Sequence, residues 1–293
     1  MKVVLFCGGL GLRLREASNR TPKPLMRVGD QPILLHLMKY YAHFGHTDFI
    51  LCLGHRANAF KQYFLEYNEA LQNDFVLSEG GQRVDVLNRD IADWRITFVD
   101  TGRSTNIGGR LRAVRRHLDG EEHFLANYGD QLSDVPLPDM IQRLRDSDKI
   151  ASMLCVKPTY STHIVTLDVD GLVSHVDPMN NGSLRINGGY FVFRHDIFDH
   201  LHEGEELVEE PFQRLIAARQ LVAHSYDGFW APMDTLKDKQ MLDSLSDAPR
   251  PPWAVWMASR APGAIAEPVT QGESVTMTLT APLRVVGGSA RQG

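Results

Sequence analysis

Three glycines, an arginine and a lysine held between two prolines stand within the first 24 residues, in an order suited to gripping phosphate. Gly8, Gly9 and Gly11 close a continuous apolar run, Val3-Val4-Leu5-Phe6-Cys7, and admit backbone angles that bring bare amide N–H groups up to an anion. Arg13 adds a forked donor matched to phosphate oxygens, and Lys23 adds a compact ammonium. Pro22 and Pro24 restrict the backbone around Lys23, so its charge is aimed at lower entropic cost. Two commoner glycine motifs do not fit. Leu14 stands where the dinucleotide fingerprint needs its third glycine, and Lys23 lacks the Gly-Lys-Ser/Thr context of a P-loop. Glycines alone would suit a tight strand-to-helix turn; Arg13 and Lys23 together favour phosphate.

Carboxylates that could hold a metal lie further on. Asp130 follows the apolar run 124–127 and the turn residue Gly129, which places it at the carboxyl end of a strand, where ligands bind in open α/β sheets. Asp234, in Trp230-Ala231-Pro232-Met233-Asp234-Thr235, precedes a helix pattern and reads locally as a helix N-cap. Arg110, after Gly108-Gly109, is either an exposed helix arginine or an anion ligand at a helix start. Asn187, before Gly188-Gly189, reads locally as a turn asparagine. His36, His43 and His46 have no cysteine or carboxylate at a familiar zinc spacing and read as surface helix histidines.

The elements that must position these groups alternate through the first half. Apolar runs at 3–7, 49–53, 96–99 and 124–127 read as strands, and helical spacing is expected from Pro32, over 57–67 and over 109–117. That is the rhythm of a doubly wound, mostly parallel, Rossmann-like α/β sheet. Residues 78–94, polar and rich in Gly and Asp, read as an excursion from the core. From about residue 150 shorter β-like runs at 151–156, 164–169 and 189–193 suggest a smaller β-rich acceptor lobe, followed by helices at 208–219 and 235–245. Residues 1–257 are expected to form one domain, with 1–149 mainly the nucleotide-binding half and 150–257 the acceptor lobe and C-terminal helices. The remainder, 258–293, is expected either to be disordered or to pack on a neighbour through a β-like run at 275–279.

With 293 residues and 43% hydrophobic content, the chain can bury one substantial core. A net charge of −5 with no basic block argues against a nucleic-acid surface. No apolar run approaches ~18 residues, so no transmembrane helix is expected. The chain enters a strand directly, without a signal-peptide pattern. Cys7, Cys52 and Cys155 are isolated in apolar runs, as expected of buried thiols in a reducing cytoplasm.

The segment 3–24 resembles the signature of sugar nucleotidyltransferases, a glycine-rich loop with an Arg-Leu pair followed by Pro-Lys-Pro. FLANYGDQLSD (124–134), INGGYFVF (186–193) and GFWAPMDTLKDKQML (228–242) resemble segments of glucose-1-phosphate cytidylyltransferases, as do PILLHLMKYYAHFGHTDFILCLGH (32–55) and VDTGRSTNIGGRL (99–111). The resemblance runs in order from residue 1 to about 256. It implies Mg²⁺-dependent transfer of cytidylyl from CTP to glucose 1-phosphate, the sugar phosphate displacing pyrophosphate in line. Its catalytic residues would be Arg13, Lys23, Asp130 and Asp234, the two aspartates holding the metal. Nucleotide contacts would come from Gly8, Gly9, Leu10, Gly11, Thr105, Arg110 and Gly129, and acceptor contacts from Arg185 and Asn187. A cytoplasmic homo-oligomer serving deoxysugar or surface-polysaccharide synthesis is implied, with no nucleic-acid or membrane partner.

The chain also departs from that pattern. Val176-Asp177-Pro178 replaces Glu-Lys-Pro, so a phosphate-binding cation has become an anion, and Val165 stands where the family has a glycine. Leu12 and Thr21 replace a threonine and a lysine around the glycine-rich loop. Arg185 is placed to restore the lost positive charge. Two further readings therefore stay open: a cytidylyltransferase with a different phosphorylated acceptor, and a non-catalytic nucleotide-binding regulator.

Overall fold

The computed structural model of the chain describes residues 1–9, 21–159, 163–179 and 184–257. Val3–Phe6 (β1) is buried along its whole length, and its side chains divide alternately: Val3 and Leu5 enter one apolar cluster, Val4 and Phe6 another. A strand covered on both faces belongs at the centre of a sheet. On one side β1 is joined in parallel by Asp48–Leu53 (β2) and then Arg95–Asp100 (β3), on the other by His123–Asn127 (β4). The short strand Gln131–Ser133 (β5) leaves the sheet, and Ala151–Val156 (β6) returns to it. His163–Leu167 (β7) and Val173–Pro178 (β8) pair only with each other. Ile186–Arg194 (β9) and Leu221–Tyr226 (β10) complete a 7-stranded sheet of order β10-β6-β9-β4-β1-β2-β3. Trp230–Pro232 (β11) lies antiparallel beside β5.

The sheet is mostly parallel, as the alternation of elements implied. β9 alone runs antiparallel to its neighbours β4 and β6, and it ties residues after 150 into the same sheet as the first half. Helices cover both faces. Ile33–His43 (α1) buries Ile33, Leu34, Leu37 and Met38 in the cluster that holds Val3. Ala57–Leu65 (α2) adds Phe60 to the same cluster, whereas Ile107–Ala113 (α3) sends Leu111 to the opposite one. Leu137–Arg145 (α4) adds Leu137, Met140 and Leu144 to the cluster of α1, and Glu210–Ala217 (α5) adds Phe212 and Leu215 to that of Leu111. Leu236–Ser246 (α6) begins with a capping box in which Thr235 and Asp238 satisfy each other's backbone N–H groups.

Several local expectations are corrected. The helix expected over 109–117 starts earlier, at Ile107, because Asn106 caps it by accepting from the Gly109 N–H at 2.8 Å. Gly108 is helical and cannot carry a side chain there: a Cβ would lie 2.4 Å from the Glu205 carbonyl oxygen. That helix yields at Val114 to a 3₁₀ turn, Arg115–His117. His36 is not a surface histidine, since it lies against Trp253 and Trp256. Cys7 and Cys52 are buried free thiols, but Cys155 is only half-buried. The 78–94 excursion proves to be structured in part: Asn68–Asp90 falls outside the main unit and contains the hairpin Phe75–Ser78 with Arg83–Val86. The tail 258–293 lies outside the described residues.

Candidate active site

Parallel strands deliver their carboxyl ends to one edge of the sheet, and the polar groups singled out by sequence gather along it. Lys23 occupies a tight 3₁₀ turn, Lys23–Leu25, entered from extended Pro22. Its ammonium donates to Asp130 Oδ2 and Asp234 Oδ1, each at 2.6 Å. Asp130 follows β4 and the Gly129 turn. Gly129 adopts a left-handed conformation (φ +74), and a Cβ there would lie 3.2 Å from the Phe6 carbonyl oxygen. Asp234 follows β11, which pairs with β5 so that Pro232 stands opposite Gln131, and the Met233 N–H donates to the Asp130 carbonyl at 3.0 Å. This short ladder is what brings the aspartates together. Thr235, not Asp234, caps α6, so the Asp234 carboxylate is turned to Lys23 rather than spent on the helix.

Burial pulls the Lys23 ammonium down, but Asp130 and Asp234 outweigh it and hold its pKa above the ordinary lysine value. Asp130 is pushed up, first by burial and further by the Asp234 charge, against the pull of Lys23. Among the described residues one ammonium faces two carboxylates, whose oxygens converge on it.

The glycine turn rests on Arg110. The guanidinium is buried, 3% exposed, and donates to the Leu53, Gly102 and Gly8 carbonyls at 3.0, 3.0 and 2.9 Å and to Thr101 Oγ1 at 2.7 Å. It thus ties together the chain leaving β1, β2 and β3. Gly8 has no room for a side chain, because a Cβ would fall 2.0 Å from Arg110 Nη1. Around Gly9 none of the described residues lies within 4 Å of such a position. Thr105 packs against Gly102 and Gly109 in the loop after β3. Leu10, Gly11 and Arg13 lie outside the described residues, as does Leu12.

On the acceptor side, Asn187 at the start of β9 donates to the Tyr128 hydroxyl at 3.1 Å and accepts from the Gly189 N–H at 2.8 Å. Tyr128 is held neutral, its pKa raised to about 12 chiefly by burial. Arg185 pairs with Asp227 at 2.8 Å and donates to the Tyr226 carbonyl at 3.0 Å; Lys157 approaches the same Asp227 oxygen at 3.5 Å. Asp177 and Val165 sit on neighbouring rungs of the β7–β8 hairpin, Ile164 opposite Asp177 and Val165 opposite Val176. Sequence reasoning passed over Tyr128 and Gln131. Both flank Asp130 in the quoted motif, but which way their side chains turn depends on strand pairing. A cleft of about 190 Å³, lined by Lys2, Asp48, Arg95, Arg116 and Asp119 among others, opens at the amino ends of β2 and β3, away from all these groups. There Asp48 pairs with Arg95 at 3.6 Å.

Comparison with known proteins shows the family. Residues 2–238 match the family model described as nucleotidyl transferase. The chain is 33% identical over 257 residues to a glucose-1-phosphate cytidylyltransferase of Salmonella typhi, covering 87% of this chain and 100% of that protein. It is 24% identical over 251 residues to a mannose-1-phosphate guanyltransferase of Schizosaccharomyces pombe, covering 81% of this chain and 62% of that one. In fold it is similar to crystalline HddC from Yersinia pseudotuberculosis, with TM-score 0.59 and 17% identity over 83% of this chain and 98% of that one. From its second residue to the first turns of α6, this chain belongs to the nucleotidyl transferase family.

Proposed function

We propose that the protein is a cytidylyltransferase that joins CTP and glucose 1-phosphate into CDP-glucose and pyrophosphate. One observation carries the chemistry: Lys23, Asp130 and Asp234 meet at 2.6 Å contacts on the carboxyl edge of the sheet. The choice of CTP and glucose 1-phosphate is supported by the Salmonella typhi relative.

A sugar-phosphate oxygen forms the new bond to the α-phosphorus while the bond to the pyrophosphate oxygen breaks. The attacking oxygen is already ionised at neutral pH, so the chain needs to supply position and charge rather than a base. The amides of Gly8 and Gly9 would meet nucleotide phosphates, and Lys23 would neutralise oxygens that crowd as the bonds exchange. Asp130 and Asp234 would hold Mg²⁺, since an ion that prefers one or two carboxylates plus phosphate oxygens and water fits two carboxylates converging on one cation. Bound there, Mg²⁺ would neutralise and align the phosphates. Arg110 supports the glycine turn, Asn187 would contact the acceptor, and Arg185 would do so only by exchanging Asp227 for the acceptor's phosphate. Asp177 and Val165, close together on one hairpin, favour a second reading: the same transfer to a different phosphorylated acceptor.

The test is pyrophosphate release with Mg²⁺, crossing CTP, UTP, dTTP and ATP with a panel of phosphorylated acceptors headed by glucose 1-phosphate. Turnover with CTP and glucose 1-phosphate, reduced at least about 100-fold in Asp130→Asn, is expected. Turnover with CTP and only another acceptor would establish the second reading. Nucleotide binding without turnover across the panel would point to a regulator instead.

A further inference from the structure

We propose that the side-chain amide of Gln131 recognises a hydroxyl of the sugar acceptor, an inference that rests on the nucleotidyl transfer proposed above. The strand pleat sets the stage. Leu132 points into the apolar core, so Gln131 and Ser133 share the other face of β5. Ser133 is satisfied there, donating to the Phe229 carbonyl at 2.7 Å and accepting from the Val135 N–H at 3.1 Å. Gln131 is not. Its side chain is enclosed, with the residue 9% exposed, and Oε1 has no hydrogen-bond partner among the described residues. A buried acceptor without a donor is costly, and one beside a candidate site calls for a ligand, water or ion to meet it.

The surroundings are arranged for this amide. Gly189 adopts φ +71, and a Cβ there would fall 1.9 Å from Gln131 Oε1 and 2.6 Å from Tyr128 Cδ2. Amide and phenol ring therefore lie together over bare backbone, and any other residue at 189 would evict them. Asn187 continues the polar run through its bond to the Tyr128 hydroxyl. Gln131 also directly follows Asp130, and consecutive Cα atoms lie about 3.8 Å apart, less than the span of a hexose with its substituents. An acceptor whose phosphate reaches the Asp130 cluster thus brings its ring within reach of Gln131.

The chemistry fixes the ligand class. A carbonyl oxygen can only accept, and an ionised phosphate has no proton to give, so within a sugar phosphate the partner is a hydroxyl; an unchanged KM for CTP separates it from the donors of the nucleotide. The terminal torsion of glutamine is broad, and Gly189 has no side chain to block it, so the oxygen can turn to meet a hydroxyl.

The experiment compares the unaltered chain with Gln131→Met, which keeps the length of the side chain and removes its polar atoms. Both are assayed at saturating CTP and Mg²⁺ with glucose 1-phosphate and its 2-, 3-, 4- and 6-deoxy analogues. The unaltered chain should lose roughly 5- to 10-fold in kcat/KM when the recognised hydroxyl is deleted. Gln131→Met should lose about as much with glucose 1-phosphate and nothing more with that one analogue, while its KM for CTP stays unchanged and its thermal midpoint does not fall, the unpartnered oxygen being gone. Gln131→Ala, made in parallel, should show the same non-additivity if the methionine variant folds poorly. Equal losses for every analogue in variant and unaltered chain would overturn the role of Gln131 alone. Silence of the unaltered chain with every acceptor would overturn the proposed transfer, and this inference with it.

Discussion

Lys23 stands where a metal ion would have to stand. Its two contacts are charge-assisted hydrogen bonds to the carboxylates that would ligate the ion, so ammonium and divalent cation compete for the same oxygens. Hydrogen bonds to charged groups contribute about 1.5–3 kcal/mol each, so removing the ammonium should tighten metal binding roughly tenfold or more. Lys23→Met is expected to bind Mn²⁺ more tightly without nucleotide, as read by electron paramagnetic resonance, while pyrophosphate release falls because the phosphates lose a cation. Unchanged Mn²⁺ affinity would mean that the ion binds elsewhere. Lys23 and Asp130 were legible in the sequence from their own short motifs, whereas Asp234 reads locally as a helix N-cap and entered the site only through the family resemblance. That the three touch was not legible, because Lys23 is 107 residues from Asp130 and 211 from Asp234; the β5–β11 ladder brings the two aspartates together, and the separate turn Lys23–Leu25 carries the ammonium to them. Arg110 shows the same limit. Its residue type left an exposed helix arginine and an anion ligand both open, and only the fold shows it buried, with Nη1 and Nη2 donating to the main chain leaving three strands.

At the scale of elements, α1 is held to the chain's last described segment through His36. An indole N–H can only donate, so the Trp253 bond at 3.3 Å requires an unprotonated Nδ1, and the proton on Nε2 is then free to reach the Val28 carbonyl at 3.0 Å. Burial, assisted by Lys39 and opposed by the Val28 carbonyl, lowers the His36 pKa from 6.5 to about 4. The folded state therefore holds the neutral ring. The stability this confers is intact above pH 6.5 and is lost as pH falls towards 4, a difference of order 3 kcal/mol at 1.36 kcal/mol per unit. Urea unfolding of the unaltered chain and His36→Gln at pH 7 and pH 4.5 should show a steeper loss in the unaltered chain. Parallel loss in both would remove His36 as the cause. Apolar spacing after Pro32 made α1 legible, but its histidine looked exposed. The tryptophan that covers it arrives from 217 residues away, and helical periodicity contains nothing of that.

For the molecule as a whole, the fold class was written in the alternation of buried apolar runs with helical spacing, whereas the single antiparallel strand β9 was not. Its run of buried residues looks the same in either direction, and only the pairing of Tyr190 with Asn127 and Phe193 with Phe124 sets the sense. Pairing also decides where the fold closes. Trp253, 1% exposed, and Ala254 enter the cluster that contains Val3 at the sheet's centre, and Trp253 packs 5.8 Å from the Phe229 ring beside β11. The core is thus completed after α6, not by it. A chain ending after Met257 is expected to keep a single cooperative transition and a thermal midpoint within a few degrees of the full chain. One ending after Ala248 removes a buried tryptophan, a loss comparable to about 3–5 kcal/mol for truncating such a side chain in a core. For a domain of this size that should lower the midpoint by roughly 6–20 °C in scanning calorimetry. Equal melting of the two truncated chains would show that Trp253 contributes little to the core, and a large drop on ending at Met257 would show that stability depends on residues beyond it.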